Sequence, residues 1–236
     1  MFPGFSPDAL KFLRSLKRNN RREWFQPRKE IFETKLKAPM VQLVEAINAE
    51  LLDFAPEHIT DPKKAVYRIY RDTRFSADKT PYKTHVAAIF PNHNLGKHSS
   101  AGFYFHLTEK TVGVAAGSYG PGPDELRSIR LWLAENHAAF RKACRKASRG
   151  REKLLGKLEG SSVTRIPKGF DAAHPAEDLI RMKQWLYWVE LDAKVATTPR
   201  LLPELVKRFR AAAPMIAMLN APLQKEPVRK QAPEHA

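Results

Sequence analysis

The chain reads as an α+β protein: an antiparallel sheet of four or five strands packed by N-terminal, central and C-terminal helices. Three observations predict this. Apolar residues recur at helical spacing over the first fifty residues and again near the C-terminus. Between His85 and Ser118 the period changes to two, in three consecutive runs with short connections, the pattern of an antiparallel meander. A long helical run then starts at Pro123-Asp124-Glu125, which separates the meander from a last alternating run at Trp185–Leu191.

Taken in order, Ser6-Pro7-Asp8 is a helix start: a hydroxyl N-cap, proline at the first position and an acid at the positive dipole end. Leu10, Phe12, Leu13 and Leu16 form its apolar stripe, and Asn19-Asn20 ends it. Asn20 with Glu23 has the spacing of a capping box for a second helix carrying Phe25, Phe32 and Leu36. Pro39 kinks or restarts that helix, and Met40, Leu43, Val44, Ile47 and Leu51 continue its stripe. Phe54 to Lys64 reads as a loop, and Ala65 to Tyr70 as a strand leading into a charged segment.

The next strands are His85–Phe90, Gly102–Leu107 and Thr111–Ser118. In the second, Phe103, Phe105 and Leu107 face one way and Tyr104 and His106 the other; in the third, Val112, Val114 and Ala116 oppose Gly113, Ala115 and Gly117. Leu126, Ile129, Leu133 and Phe140 mark the buried side of the central helix. A short helix around Leu154, Leu155 and Leu158 and a loop from Ser161 to Glu177 follow. Thr198-Pro199 starts the last helix, which Pro214 breaks. The expected organisation is one globular domain over residues 1–221 with a disordered Pro/Lys/Glu tail from Pro222.

Composition narrows the partners. Forty-one basic against 25 acidic residues leave a formal charge of +16, which favours polyanions: phosphorylated metabolites or nucleic acid. A single cysteine, Cys144, forbids an internal disulfide and points to a reducing, cytoplasmic compartment. Met1-Phe-Pro-Gly lacks the pattern of a signal peptide, and no apolar run approaches the roughly 20 residues that span a bilayer. No membrane partner is expected.

The chemistry concentrates between Val66 and His85. Arg68, Arg71 and Arg74 recur at a three-residue pitch beside Lys79, Lys83, Asp72, Asp78 and several aromatics. Guanidinium is suited to phosphate and carboxylate because its planar fork donates two hydrogen bonds and stays charged. Asp72 is placed to lock one arginine, Tyr70 and Tyr82 add hydroxyls, and Phe75 would anchor the loop. The competing reading is a structural ion-pair network that ties loop to sheet.

Arg68-x-x-Arg71-Asp72-x-Arg74-Phe75-x-x-x-Lys79-x-x-Tyr82 resembles the signature of an uncharacterised, mainly bacterial family, domain of unknown function 2461. The Asn19-Asn20-x-x-Glu23-Trp24-Phe25 run, Pro167-Lys168-Gly169-Phe170 and His174-Pro175 are also similar, so the likeness covers nearly the whole chain. The family has no established activity, so the resemblance implies relatives and no reaction or cofactor.

The sheet completes the expected site. His85, Tyr104 and His106 are polar residues on strands, and Gly113, Ala115 and Gly117 leave room above a neighbouring strand. The motif, these residues and the Lys168-Gly169 loop are expected to meet in one pocket. The ligand-binding set is therefore Arg68, Arg71, Asp72, Arg74, Lys79, Tyr82, Lys83, His85, Tyr104, His106 and Lys168. His85, His93, His98 and His106 lack metal-ligand spacing, and no dinucleotide fingerprint, P-loop or nucleophile elbow is present. Trp24, Trp132, Trp185 and Trp188 fall on predicted core faces, and Cys144 lies among cations that could lower its pKa. Eight basic residues and one acid between Arg141 and Lys157 form a strip able to follow a phosphate backbone. Two readings follow: a protein, enzymatic or not, that binds a small phosphate- or carboxylate-bearing ligand through the motif, and a nucleic-acid-binding protein using motif and basic helix together.

Overall fold

A computed structural model of the chain describes residues 2–95, 99–148 and 154–224. His98, Arg149 of the basic strip and most of the expected tail, residues 225–236, lie outside them. The fold is α+β. Helix α1 (Pro7–Arg18) buries Ala9, Phe12, Leu13 and Leu16. Two single turns, α2 (Arg22–Phe25) and α3 (Lys29–Phe32), lead through a π-helical turn at Glu33–Lys37 into α4 (Ala38–Leu51). The π turn sits where Pro39 would clash with the carbonyl four residues back, at Lys35, and widening the helix there accommodates the ring. A short helix α5 (Pro62–Ala65) precedes the motif.

Strands β1 (Val86–Pro91), β2 (Gly102–Leu107), β3 (Thr111–Ser118) and β4 (Trp185–Asp192) form one antiparallel sheet in the order β1-β2-β3-β4. The long helix α6 (Pro123–Ser148) and the short α7 (Glu177–Arg181) connect β3 to β4, and α8 (Leu201–Asn220) closes the described chain. Helix α8 lies against β2 and β3, α4 against β1, and α6 against α8. On that face Phe90 and Phe103 meet Phe209 at ring-centroid distances of 5.8 and 4.9 Å.

Several expectations are corrected. Ala65–Tyr70 is not a strand: it makes isolated bridges, Val66 with Ala88 and Tyr70 with Tyr82. Pro214 does not break α8, because buried Met215, Ile216 and Leu219 beyond it hold the helix on the core, and Asn220 clamps Ala101 through its backbone N–H (2.8 Å) and C=O (3.1 Å). That burial outweighs the roughly 3 kcal/mol an interior proline costs. Ser6 precedes α1 but makes no capping bond, and Asn20 caps nothing. Instead Asn20 donates to the Tyr82 carbonyl (2.8 Å) and accepts from the Tyr82 N–H (3.1 Å), tying the N-terminal helices to the motif. Leu154–Leu158 forms no helix. The chain beyond it joins the edge of β4, where the Glu159 and Leu186 backbones exchange two bonds of 2.8 Å. A 3₁₀ turn at Ala221–Leu223 follows α8.

Candidate ligand site on the open sheet face

The face of the sheet turned away from α4 and α8 is built of registered rows. Ala87, His106, Gly113 and Glu190 form one row; Ile89, Tyr104, Ala115 and Trp188 form the next; Pro91, Gly102, Gly117 and Leu186 form the third. The middle strand β3 contributes only glycine and alanine, so side chains of β2 and β4 lean over it. A Cβ on Gly113 would lie 2.5 Å from the His106 ring, which shows how completely the imidazole occupies that position.

The result is a cleft of about 700 Å³, lined by Tyr67, Lys83, His85, Tyr104, His106 and Trp188 among others. Its volume and its mixture of rings with few polar groups suit a small ligand. The His85 and His106 rings are 5.4 Å apart, and His106 stands 5.7 Å from Tyr104 and 5.4 Å from Trp188. Lys83 lies over the Tyr67 ring at 4.7 Å, and Tyr67 is 6.4 Å from Tyr104.

Burial sets the charge state of this group. Desolvation, with His106 and Lys83 nearby, holds His85 down at about 4. Burial also lowers His106, but Glu190 in the same row opposes it. Burial lifts Tyr104 to about 12 and raises Tyr67. Near pH 7 the cleft therefore presents two neutral imidazoles, two un-ionised phenols and the Lys83 cation.

Of the residues expected in the site, Lys83, His85, Tyr104 and His106 line this cleft, and Arg68, Arg71 and Arg74 do not. The motif forms an irregular hairpin, with Arg71 N–H bonded to Pro81 O (2.9 Å) and Lys83 N–H to Ile69 O (2.8 Å). That turn carries the arginines away from the sheet and toward the loop's own carboxylates. Arg74 grips Asp72 through two bonds of 3.0 and 2.7 Å, and Arg71 pairs with Asp78 and Thr80. These partners hold the Asp72 and Asp78 carboxyls at about 2. Lys79 caps the Thr73 carbonyl at 2.9 Å. Arg68 lines a separate groove of about 810 Å³ with Lys29, Phe32 and Tyr70.

Tyr82 is buried and stacked on Phe25 at 4.1 Å, so it packs the core. Phe75, expected as an anchor, is 95% exposed at the loop tip and packs into no core. Lys168 sits exposed in its own loop, outside the cleft lining. Burial raises the Cys144 thiol, against the lowering expected from its cationic neighbours. Arg141 of the basic strip is engaged by Asp178 and the Pro175 carbonyl.

Trp188, assigned from sequence to the core, is 41% exposed at the cleft. Its signal was present: β4 is apolar on both faces, and a strand with one face on the core should carry apolar residues on the other only when something packs there. Glu159 and Gln184 also line the cleft, brought there by the edge pairing of Glu159 with Leu186.

A family model described as "Conserved hypothetical protein (DUF2461)" matches residues 8–218. No curated protein matches the chain. Among the described residues no helix is long and apolar enough to cross a membrane.

Proposed function

The chain belongs to the DUF2461 family of conserved hypothetical proteins, and we propose that its open sheet face binds a small, ring-bearing anion, a phosphate or carboxylate attached to an aromatic or heterocyclic group. One observation carries this reading: Tyr67, Tyr104, His106 and Trp188 gather their rings in one cleft with Lys83 and His85 at its edge. Rings supply flat apolar contact, while Lys83 and the imidazole N–H groups supply charge and donors for the anionic end. The motif serves this site through its C-terminal end, Lys83 and His85, and its arginines brace the hairpin that sets those residues in place.

The test is a titration of the protein with phenyl phosphate and with nucleoside monophosphates, read by tryptophan fluorescence and melting temperature. Saturable quenching that is lost in Trp188→Ala, and binding lost in Lys83→Ala, is the expected result. Ligand responses in the wild type that survive both substitutions place the site elsewhere.

A second reading, nucleic-acid binding by a basic surface, has one observation in its favour. The motif hairpin presents Phe75 at its tip beside Arg74, whose guanidinium lies 5.7 Å from the ring, an arrangement suited to stacking on an unpaired base.

A further inference from the structure

Two imidazoles of unlike surroundings share the cleft. His85 is flanked by the Lys83 cation, whereas His106 shares its row with the Glu190 carboxylate, across Gly113. No hydrogen bond joins the two rings, which stand 5.4 Å apart with planes 47° from parallel. Pairs of titratable groups whose environments pull them apart are the usual sign of an acid and a base with separate tasks.

Among the described residues the lining supplies an acid, a base and a cation, but no activated nucleophile. Ser100 Oγ accepts the Asn92 N–H at 3.1 Å. The Tyr67 and Tyr104 phenols are pushed toward their un-ionised forms by burial. Cys144 does not line the cleft. A reaction run here would use a nucleophile the substrate brings with it. Phosphodiesters with a neighbouring hydroxyl, the internucleotide linkages of RNA, meet that condition, and their bases suit the ring-lined floor that runs to Trp188.

We propose that the cleft cleaves single-stranded ribonucleotide phosphodiesters by internal transfer, with His85 as general base, His106 as general acid and Lys83 stabilising the negative charge on the non-bridging phosphoryl oxygens. This rests on the anion-binding reading above and deepens it. His85 takes the proton of the substrate 2′-hydroxyl as that oxygen forms a new bond to phosphorus. The bond from phosphorus to the 5′-oxygen breaks, and that oxygen leaves with the electron pair and takes the proton from His106. The products are a 2′,3′-cyclic phosphate and a free 5′-hydroxyl; nothing is oxidised or reduced. Solvent exchange returns His85 to neutral and His106 to its protonated form.

The charged and titratable groups of the cleft and the His106 row are Lys83 and Tyr67 beside β1, Tyr104 on β2, Tyr119 after β3, Glu190 on β4 and Glu159 at the sheet edge. Neither carboxylate flanks His85, so the base is the group kept unprotonated down to mildly acidic pH, and His106 is the one that can carry a proton. The rate, kcat/KM, should follow a bell below neutrality.

The experiment incubates the purified full chain with the dinucleotide uridylyl-3′,5′-adenosine and with its 2′-deoxyuridine analogue, resolving products by chromatography and phosphorus NMR. Cleavage of the ribo compound alone, through a cyclic phosphate, is expected. His85→Ala and His106→Ala should each lower kcat/KM by about 10²–10⁴-fold, and kcat at saturating dinucleotide should fall with it, which weakened binding alone would not produce. His85→Gln and His106→Gln, closer in shape, guard against loss of folding, which circular dichroism and melting report. Absence of cleavage, equal cleavage of the deoxy analogue, or unchanged rates in the folded histidine variants would each overturn the proposal. Uridine 3′-phosphate binding without turnover then leaves the binding reading standing; absence of binding removes both.

Discussion

Asn20 shows how a single side chain changes the meaning of its neighbourhood. Its amide spans both backbone groups of Tyr82, a residue only 1% exposed. Asn20→Ala strands a buried N–H and C=O, and should cost about 1–3 kcal/mol in urea unfolding. Phe75→Ser, at a position 95% exposed, should leave stability unchanged. Equal effects of the two would contradict the placement of the hairpin. Asn20 also marks where sequence reasoning failed for a physical reason: the Asn-x-x-Glu spacing satisfies a helix start equally well, and only the three-dimensional return of residue 82 shows which backbone it bonds. The arginines misled similarly. Their fitness for anions was legible, but so was the presence of Asp72 and Asp78 within the same loop, and local carboxylates meet them before a distant sheet can.

Among the described titratable residues, His58 is the most enclosed. It is fully buried, its Nδ1 lies 3.0 Å from the Phe90 carbonyl oxygen, and its ring packs 5.0 Å from Phe103. Burial lowers its pKa, as it does those of His85 and His106. The sign follows from linkage. Above pH 6.5 all three are neutral whether the chain is folded or not. Below about 6.5, the ordinary value for histidine, the unfolded chain takes up protons that the folded chain refuses until its own lower pKa is reached. Stability therefore falls as pH drops from about 6.5 toward 4. Asp72 and Asp78, held at about 2, add their own loss only near the bottom of that window and below it, where the carboxyls of the unfolded chain begin to take up protons. Urea midpoints measured at intervals from pH 7.5 to 4.5 should decline steadily below 6.5; a flat profile would contradict the buried, neutral histidines.

At the scale of elements, β3 is the device that makes the cleft. Val112, Val114 and Ala116 face the helices, while Gly113, Ala115 and Gly117 present almost nothing above the sheet. This alternation was readable from sequence, and so were the boundaries of β2 and β3, because period-two patterning with one buried face leaves little freedom of register. What was not readable was the partner across the gap. The register that sets Trp188 beside Ala115 comes from a strand some seventy residues downstream in the sequence. Gly113→Ala tests the arrangement: its Cβ would meet the His106 ring at 2.5 Å, so the ring must swing away. Ligand quenching should be weakened at least tenfold, about 1.4 kcal/mol, with the fold retained. Unchanged affinity would show that His106 is not part of the site.

For the whole molecule, the charge of +16 invites a nucleic-acid surface, and its strength is measurable. If the motif tip and basic helix bound duplex DNA together, log affinity would fall with log salt at a slope near −0.9 per neutralised phosphate. The cleft predicts a shallower dependence, since Lys83 is the one lysine or arginine among the described residues that line it, and Arg71 and Arg74 are paired with Asp78 and Asp72. A steep slope that survives Lys83→Ala but vanishes in Arg74→Glu would favour the surface over the cleft.

The claim on which the rest depends is that anions are received between the sheet imidazoles and not by the arginine motif. Imidazole and guanidinium NMR signals, followed while phenyl phosphate is added, separate the two directly. The account predicts saturable shifts of His85 and His106, with both imidazoles becoming easier to protonate as the anion binds, and still signals for Arg71 and Arg74. Saturable movement of the Arg71 and Arg74 guanidinium resonances with silent imidazoles would contradict it.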